Sequence, residues 1–520
     1  MAAFVSGPVH AQTPSQYCTQ DQGICFEAAP DVLKLPNLDG ERVRYRGQTW
    51  SSSWGDANGN IWPDLYLNHH TWENTHGRYP SSHLIYDPGL NPKNWTFTEL
   101  VQYGDQHSAT FIDLNSDGHD DILEMVGGRL GTATAESKNT SNGVFLSAKQ
   151  SPRGSNPAPA MKLDFTGARG RYALPINHNG TLKLLMLNLS RDDGKFGSAL
   201  MAYDGGVAFQ QEDIFFQAQC LEASCLRSTF NIGACQGALS LHMNADTVID
   251  LLCFNFDDTE SIKVLLADPK SNSFVNLGGN KAPGRVRDAN IMDVKNDGAA
   301  QVLMILEKQV GLGKPAPDEL GGVAFNFKPF DTKLRGKPIA LVSGDWDNDK
   351  DIDFITYHLV KDSSFRFAIW VNDGTGKFTA ESFRDAKNKG VARNVSVADY
   401  NLDGALDVLF SDGKFAEEET VKSGGYVLLE GKASQNWLQV DLVDDLNLKG
   451  LGSRVTVTAD GTQITRWQHS GVHGEVQDHI RLHFGLGDAE TVDLSVTWWD
   501  GTQTDMSGVK VNRLLAVSKP

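Results

Sequence analysis

The sequence predicts an all-β chain, and three observations carry that prediction. Glycine is unusually frequent, 51 of 520 residues, and Gly, Asn and Asp cluster in short groups that punctuate short strands rather than long helices. Apolar stretches such as 184–189 and 248–254 are strand-sized. Above all, one segment pattern recurs every 51 to 67 residues along most of the chain.

Composition bounds the rest. Hydrophobic residues make up 40% and charged residues 22%, enough apolar content for a packed core and too much for a disordered chain. With 47 basic against 65 acidic residues the formal charge is −18, which repels phosphate backbones and excludes general nucleic-acid binding. No apolar run approaches the roughly 18 residues that span a bilayer, so an integral membrane protein is not expected. The opening residues MAAFVSGPVHAQ end in a small-residue cleavage pattern but lack a basic leader and a full apolar stretch. Residues 1–30 are therefore read as an export-signal remnant and N-terminal segment. Six cysteines fall in local pairs, Cys18 with Cys25, Cys220 with Cys225 and Cys235 with Cys253, and none forms C-x-x-C. An even, locally paired set predicts disulfides in an oxidising compartment, although spacing does not fix the pairing. The expected location is secreted, periplasmic or cell-surface.

Four copies of the repeat are complete. They place Asp or Asn at positions 1, 3, 5 and 9 of a loop, with a short apolar strand following at once. The sets are Asp56, Asn58, Asn60 and Asp64; Asp113, Asn115, Asp117 and Asp121; Asp345, Asp347, Asp349 and Asp353; and Asp399, Asn401, Asp403 and Asp407. Three weaker copies fill the gaps. One starts at Asp293 but has Lys295 and Gln301 at positions 3 and 9; one starts at His242 and keeps Asn244, Asp246 and Asp250; one, over 175–183, keeps only the strand. The seven units suit one four-stranded blade each, and seven blades close a ring. Residues 31–433 are thus predicted to form a seven-bladed β-propeller. The last unit has only about 35 residues before Ser434, too few for a blade, so a strand from 42–50 is expected to complete it.

Oxygen atoms at alternate positions of a tight loop converge on one point. A backbone carbonyl at position 7 and the position 9 carboxylate complete a cage suited to Ca²⁺, which takes about six to eight oxygens. About four structural Ca²⁺ ions are expected. Counting carboxylates, the Asp345 loop should bind tightest, those of Asp113 and Asp399 next, and that of Asp56 most weakly. The Asp293 loop is expected to bind nothing, because Lys295 can neutralise it. Residues 113–124 also match the EF-hand pattern, ending at Glu124. The other three loops carry Leu67, Thr356 and Phe410 there and no helix flanks them, so Glu124 is read as a chance match. Asx-rich turns can cap hairpins without metal, but four or five convergent oxygens would then repel one another. These segments resemble FG-GAP or VCBS repeats, the calcium-bearing propeller repeats also found in integrin α-chain heads. Residues 372–378 resemble the outer hairpin of such repeats, and the resemblance covers roughly 40–430.

From Ser434 the pattern changes. Residues 436–442 alternate as a strand, and 450–461 read as a strand entering a hairpin turn. The stretches 481–488, with its His-Phe-Gly-Leu-Gly core, and 492–501, with Trp498-Trp499-Asp500-Gly501, resemble the ASPIC/UnbV domain that follows FG-GAP repeats in proteins similar to cartilage acidic protein 1. Trp499 departs from the proline usual in that family. The resemblance implies a small β-sandwich-like domain over 434–520. His469, His473, His479 and His483 are read as surface or packing residues rather than a metal site.

A ligand is expected on the face opposite the oxygen-rich loops. The candidates there are His69, His70, Glu73, His76, His107 and Arg129, with Arg287-Asp288 and Arg393-Asn394 at two further blade starts. No hydrolase, zinc-protease, nucleotide or dinucleotide motif is present. The reading is a calcium-stabilised binding protein for an extracellular protein, glycan or small ligand. The alternative is an enzyme of lyase, hydratase or cyclase type using those His, Glu and Arg residues.

Overall fold

A computed structural model describes residues 16–44, 51–68, 81–126, 143–147, 161–218, 228–243, 248–254, 262–280, 285–331, 334–412 and 426–520, with gaps inside several of these spans. Every regular element among them is a strand. Seven sheets follow one another along the chain, each built on an antiparallel strand pair; the fourth also takes in Phe215–Ala218 and Ser228–Thr229, which precede its pair in the chain. Their first strands are Ser52–Gly55, Gln106–Ile112, Arg169–His178, Gly237–Leu241, Val286–Met292, Lys337–Gly344 and Ala392–Ala398. Each first strand touches the next, and Ala392–Ala398 touches Ser52–Gly55, so the sequence of contacts closes on itself.

The apolar pattern explains the stacking. Strands such as Gln106–Ile112 and Asp121–Val126 are buried along their whole length. A strand exposes alternate residues to opposite faces, so full burial requires a neighbour on both sides. Leu123 and Met125 pack with Ala173 and Met186 of the following sheet, while Ile122 packs with Tyr66 and Leu84 of the preceding one. The same arrangement recurs between every pair of consecutive sheets. One further cluster joins Trp54 and Leu65 of the first sheet to Tyr400 and Leu409 of the last.

Closure at the chain ends differs from expectation. The last sheet is completed by Cys25–Ala28, which pairs with Tyr426–Gly431, and then by Gln16–Cys18. Of the expected segment 42–50, the described part, Arg42–Arg44, pairs instead with Lys34–Pro36 in a separate two-stranded sheet, and residues 45–50 lie outside the described residues. The physical reason lies in the side chains. Phe26 is fully buried against Trp346, with ring centroids 5.6 Å apart, and Tyr17 packs on Phe367. Residues 42–44 are Arg-Val-Arg, a poor match for that interior. Cys18 and Cys25 form a disulfide across this strand pair, and Cys253 is also disulfide-bonded. Cys220, Cys225 and Cys235 lie outside the described residues.

The C-terminal region has its own core. Asn436–Val443 lies between Leu482–Gly487 and Arg513–Ser518 in one sheet; Thr462–Trp467, Arg454–Ala459, Thr491–Thr497 and Gln503–Lys510 form another. Leu438 and Phe484 of the first pack with Val455, Leu494 and Trp498 of the second. A short hairpin, Val472–His473 with Val476–Gln477, leaves this body and joins the first sheet of the ring, Gln477 pairing with Ser53.

Candidate functional site: the oxygen-rich loops and the domain that covers them

The loops between first and second strands share one hydrogen-bond frame. The position 1 carboxylate accepts the amides of positions 5 and 6. Asp345 accepts from Asp349 and Lys350 at 3.1 and 3.0 Å, and Asp399 from Asp403 and Gly404 at 3.1 and 2.8 Å. Asp56, Asp113 and Asp293 repeat the arrangement. The position 5 oxygen accepts the amide of position 7, as in Asn60, Asp117, Asp297, Asp349 and Asp403. The position 9 carboxylate accepts the amide of position 2 and one from the end of the third strand: Asp64 from Ala57 and Asp87, Asp121 from Leu114 and Ser147, Asp353 from Trp346 and Asn372, Asp407 from Tyr400 and Gly431. These donors fix the carboxylates while leaving lone pairs free, since each oxygen accepts more than one bond.

Position 6 is left-handed in all five of these loops. Gly118, Gly298 and Gly404 take φ of 87°, 74° and 87° there, but Ile61 and Lys350 adopt 72° and 92° without glycine's freedom. The loop closure therefore holds a conformation that costs those two residues about 1 kcal/mol or more each.

Charge density is highest in the Asp345 loop. One oxygen from each of Asp345, Asp347 and Asp353 lies within 4.8 Å of the others. Asp345 and Asp353 are buried, and Asp347 Oδ1 is a buried oxygen with no hydrogen-bond partner among the described residues. Burial first, and then the neighbouring carboxylates, push Asp345 and Asp353 well above the usual range; the same causes carry Asp347 up to about 7. Asp121 and Asp399 also rise to about 7, by burial and then by the acids beside them. Asp64 and Asp407 are pushed well up, again chiefly by burial. A divalent cation would relieve each cluster, so the donor sets fit one. Asn115 lies outside the described residues.

A pH dependence follows. Without a cation, the folded chain holds protons on these acids that the unfolded chain, with its carboxyls near 3.8, has released. Stability then falls as pH rises from about 4 through 7. The chelated chain is expected to melt several degrees higher near pH 5 than near pH 8, and the calcium-loaded chain to show the opposite trend, because protons compete with the cation. Equal melting of the chelated chain at both values would contradict the placement of these groups.

Glu124 is not part of a loop. Its buried carboxylate accepts hydrogen bonds from Tyr66 and Ser82 of the preceding sheet, and burial raises it to about 7.

The C-terminal body rests on the loop side of the ring. Arg481 donates to the Ile61 carbonyl at 2.9 Å, Lys449 pairs with Asp120, and Gln439 donates to Asp399 at 2.5 Å. His483 Nε2 meets the Gly404 carbonyl at 3.1 Å, and the Gly487 amide donates to the Asn348 carbonyl at 2.8 Å. A Cβ on Gly404 would lie 1.9 Å from the Trp437 indole, so the close approach of the two bodies requires glycine there. Between them lies a cavity of about 130 Å³ whose lining includes Asp293, Asp345, Asp399, Arg466, His469 and His483. Burial lowers His469 and His483 to about 4, leaving both imidazoles neutral.

Of the six candidates His69, His70, Glu73, His76, His107 and Arg129 on the opposite face, His107 alone is among the described residues. It is buried, and its Nδ1 lies 4.0 Å from Glu475 at the hairpin tip, with Arg171 Nε 3.6 Å from the same carboxylate oxygen. His69, His70, Glu73, His76 and Arg129 lie outside the described residues. Asp288 is buried and bonded to His473 rather than presented to a ligand, and Asn394 is buried. Of the four C-terminal histidines read as surface or packing residues, His473 is buried and His469, His479 and His483 are half-buried; the ion pair of His473 carried no signal in the sequence, because its partners are 185 and 5 residues away.

Comparison with known proteins adds the following. Residues 345–410 match the family model described as FG-GAP-like repeat, and residues 444–520 match the one described as ASPIC and UnbV. A T-cell immunomodulatory protein homolog of Plasmodium yoelii yoelii is 24% identical over 203 residues, which is 32% of this chain and 28% of that relative's length. Among solved structures, an Agrocybe aegerita lectin described in terms of recognition of non-reducing terminal N-acetylglucosamine is 14% identical, with a TM-score of 0.43 over 79% of this chain and 96% of that one. The exotype rhamnogalacturonan lyase YesX is 12% identical, with a TM-score of 0.42 over 79% and 76% of the two chains. Repeat and C-terminal motifs thus agree with the matched families: the chain carries an FG-GAP-like repeat in its ring of sheets and ends in an ASPIC/UnbV domain.

Proposed function

We propose that this chain is an exported binding protein: a seven-bladed β-propeller, stabilised by about four Ca²⁺ ions, with a β-sandwich-like C-terminal domain from about residue 434. The seven-bladed reading is supported by seven consecutive sheets whose first strands touch in a closed order. The observation that carries the calcium assignment is the convergence of Asp345, Asp347 and Asp353, with one buried oxygen left without a donor among the described residues. In the four complete loops the position 1, 3, 5 and 9 side chains would hold the ion, which supplies positive charge that ties each loop and offsets carboxylate repulsion. The role is structural, a linkage of metal to folding. Export is supported by the Cys18–Cys25 disulfide. The ligand, an extracellular protein, glycan or small molecule, binds on the face where the first strands begin, opposite the oxygen-rich loops.

The test uses the full chain. Replacing both Asp345 and Asp349 by Ala is expected to lower bound calcium by one ion per chain, read by elemental analysis after dialysis, with the remaining ions retained. Unchanged stoichiometry would remove this loop from the set.

A further inference from the structure

The inner edges of the first strands pose a problem of their own. In a ring of sheets each first strand presents a row of backbone N–H and C=O groups to the axis, and such groups need partners when buried. Several of those partners come from segment 470–479 of the C-terminal domain. Its hairpin touches the first strands of six of the seven sheets: Ser52–Gly55, Gln106–Ile112, Arg169–His178, Gly237–Leu241, Val286–Met292 and Ala392–Ala398.

The contacts act as substitute strand pairing. Gln477 spans Phe111: its Oε1 accepts the Phe111 amide at 2.7 Å and its Nε2 donates to the Phe111 carbonyl at 3.2 Å. The same Nε2 donates to the Ser470 carbonyl at 2.9 Å, which holds the amide in that orientation. Val397 is served likewise. Its amide donates to Asp478 Oδ1 at 2.9 Å, and its carbonyl accepts the His479 amide at 2.9 Å. Backbone pairing of Gln477 with Ser53 adds a third sheet.

A buried charge fixes the hairpin's position. His473 Nδ1 lies 3.1 Å from Asp288 Oδ1 of the fifth sheet, and Nε2 lies 3.1 Å from Asp478 Oδ2 of the hairpin's own loop. Asp288 is held by the amides of Ala289 and Leu341, so it also ties the fifth sheet to the sixth. Burial opposes a charged imidazole here, but Asp478 and Asp288 outweigh it and hold His473 up at about 10. Val472 and Val476 are 3% and 1% exposed, so the hairpin seals the axis with apolar groups as well.

We propose that the axis of the ring is a binding site whose ligand is this chain's own segment 470–479, a keystone that satisfies the inner strand edges and excludes any external ligand from the axis. The C-terminal domain is then an obligate part of the ring rather than a detachable appendage. This holds independently of whether the loops bind calcium.

Residue-resolved hydrogen exchange on the full chain tests it. In the unaltered protein the Phe111 and Val397 amides are expected to open in the same cooperative step as segment 470–479. In Gln477→Leu, which keeps the bulk but removes both bonds to Phe111, the Phe111 amide should exchange at least tenfold faster, while the outer strand Phe378–Lys389 stays unchanged. His473→Ala should speed exchange across 470–479 and at Val397 together. The proposal is overturned if 470–479 of the unaltered chain exchanges far faster than Phe111 and Val397, or if folded Gln477→Leu leaves Phe111 unmoved. Should the variants fail to fold, the unaltered chain alone decides.

Discussion

Chelation of divalent cations should lower the melting temperature of the full chain by at least about 10 °C. Each site filled at a hundredfold excess over its dissociation constant adds about 2.7 kcal/mol to the folded state, because the unfolded chain has no assembled site. Four such loops together offer about 10 kcal/mol, comparable with the whole net stability of a typical domain. The metal-free state is further penalised, since Asp345, Asp353, Asp64 and Asp407 are buried beside other acids and pushed well above the usual carboxylate range. Calorimetry with and without chelator reads the shift. A melt that does not move would remove calcium from the account, and the shared hydrogen-bond frame of the loops would then stand alone as their support.

The second large effect concerns ring closure. Phe26→Ala should destabilise the chain by about 3–5 kcal/mol, the usual cost of truncating a fully buried Phe. Phe26 is 0% exposed, pairs with Gly431 and packs edge-on against Trp346 of the neighbouring sheet. Its loss would open a cavity at the point where the two ends of the ring meet. Denaturant unfolding of the full chain measures the change. A loss below about 1 kcal/mol would mean that Cys25–Ala28 adds little to the last sheet.

Much of this was legible in the sequence because its signals are local. The loop frame lies within nine residues, so position 1, 5 and 9 oxygens could be read from spacing, and the structure places their amide donors in the same register in loop after loop. That Lys295 and Gln301 depart from the pattern was equally visible. Contacts that span the chain were not. The need for a closing strand could be inferred from the short last unit, but the choice between 42–50 and Cys25–Ala28 turned on Phe26 meeting Trp346, 320 residues apart. The burial of His473 between Asp288 and Asp478 and the clasp of Gln477 on Phe111, 366 residues away, left no periodic trace, because a single polar side chain carries each. The coverage of the loop side by the C-terminal domain was invisible for the same reason: Lys449, Gln439 and Arg481 are ordinary strand and turn residues until the loops are placed beneath them.

One measurement reaches the central claim directly. A crystal of the full chain grown with calcium and measured at long wavelength should show anomalous peaks inside the loops that start at Asp56, Asp113, Asp345 and Asp399, strongest in the Asp345 loop, and none in the Asp293 loop. Loops free of anomalous density in saturating calcium, with their aspartates turned apart, would contradict it.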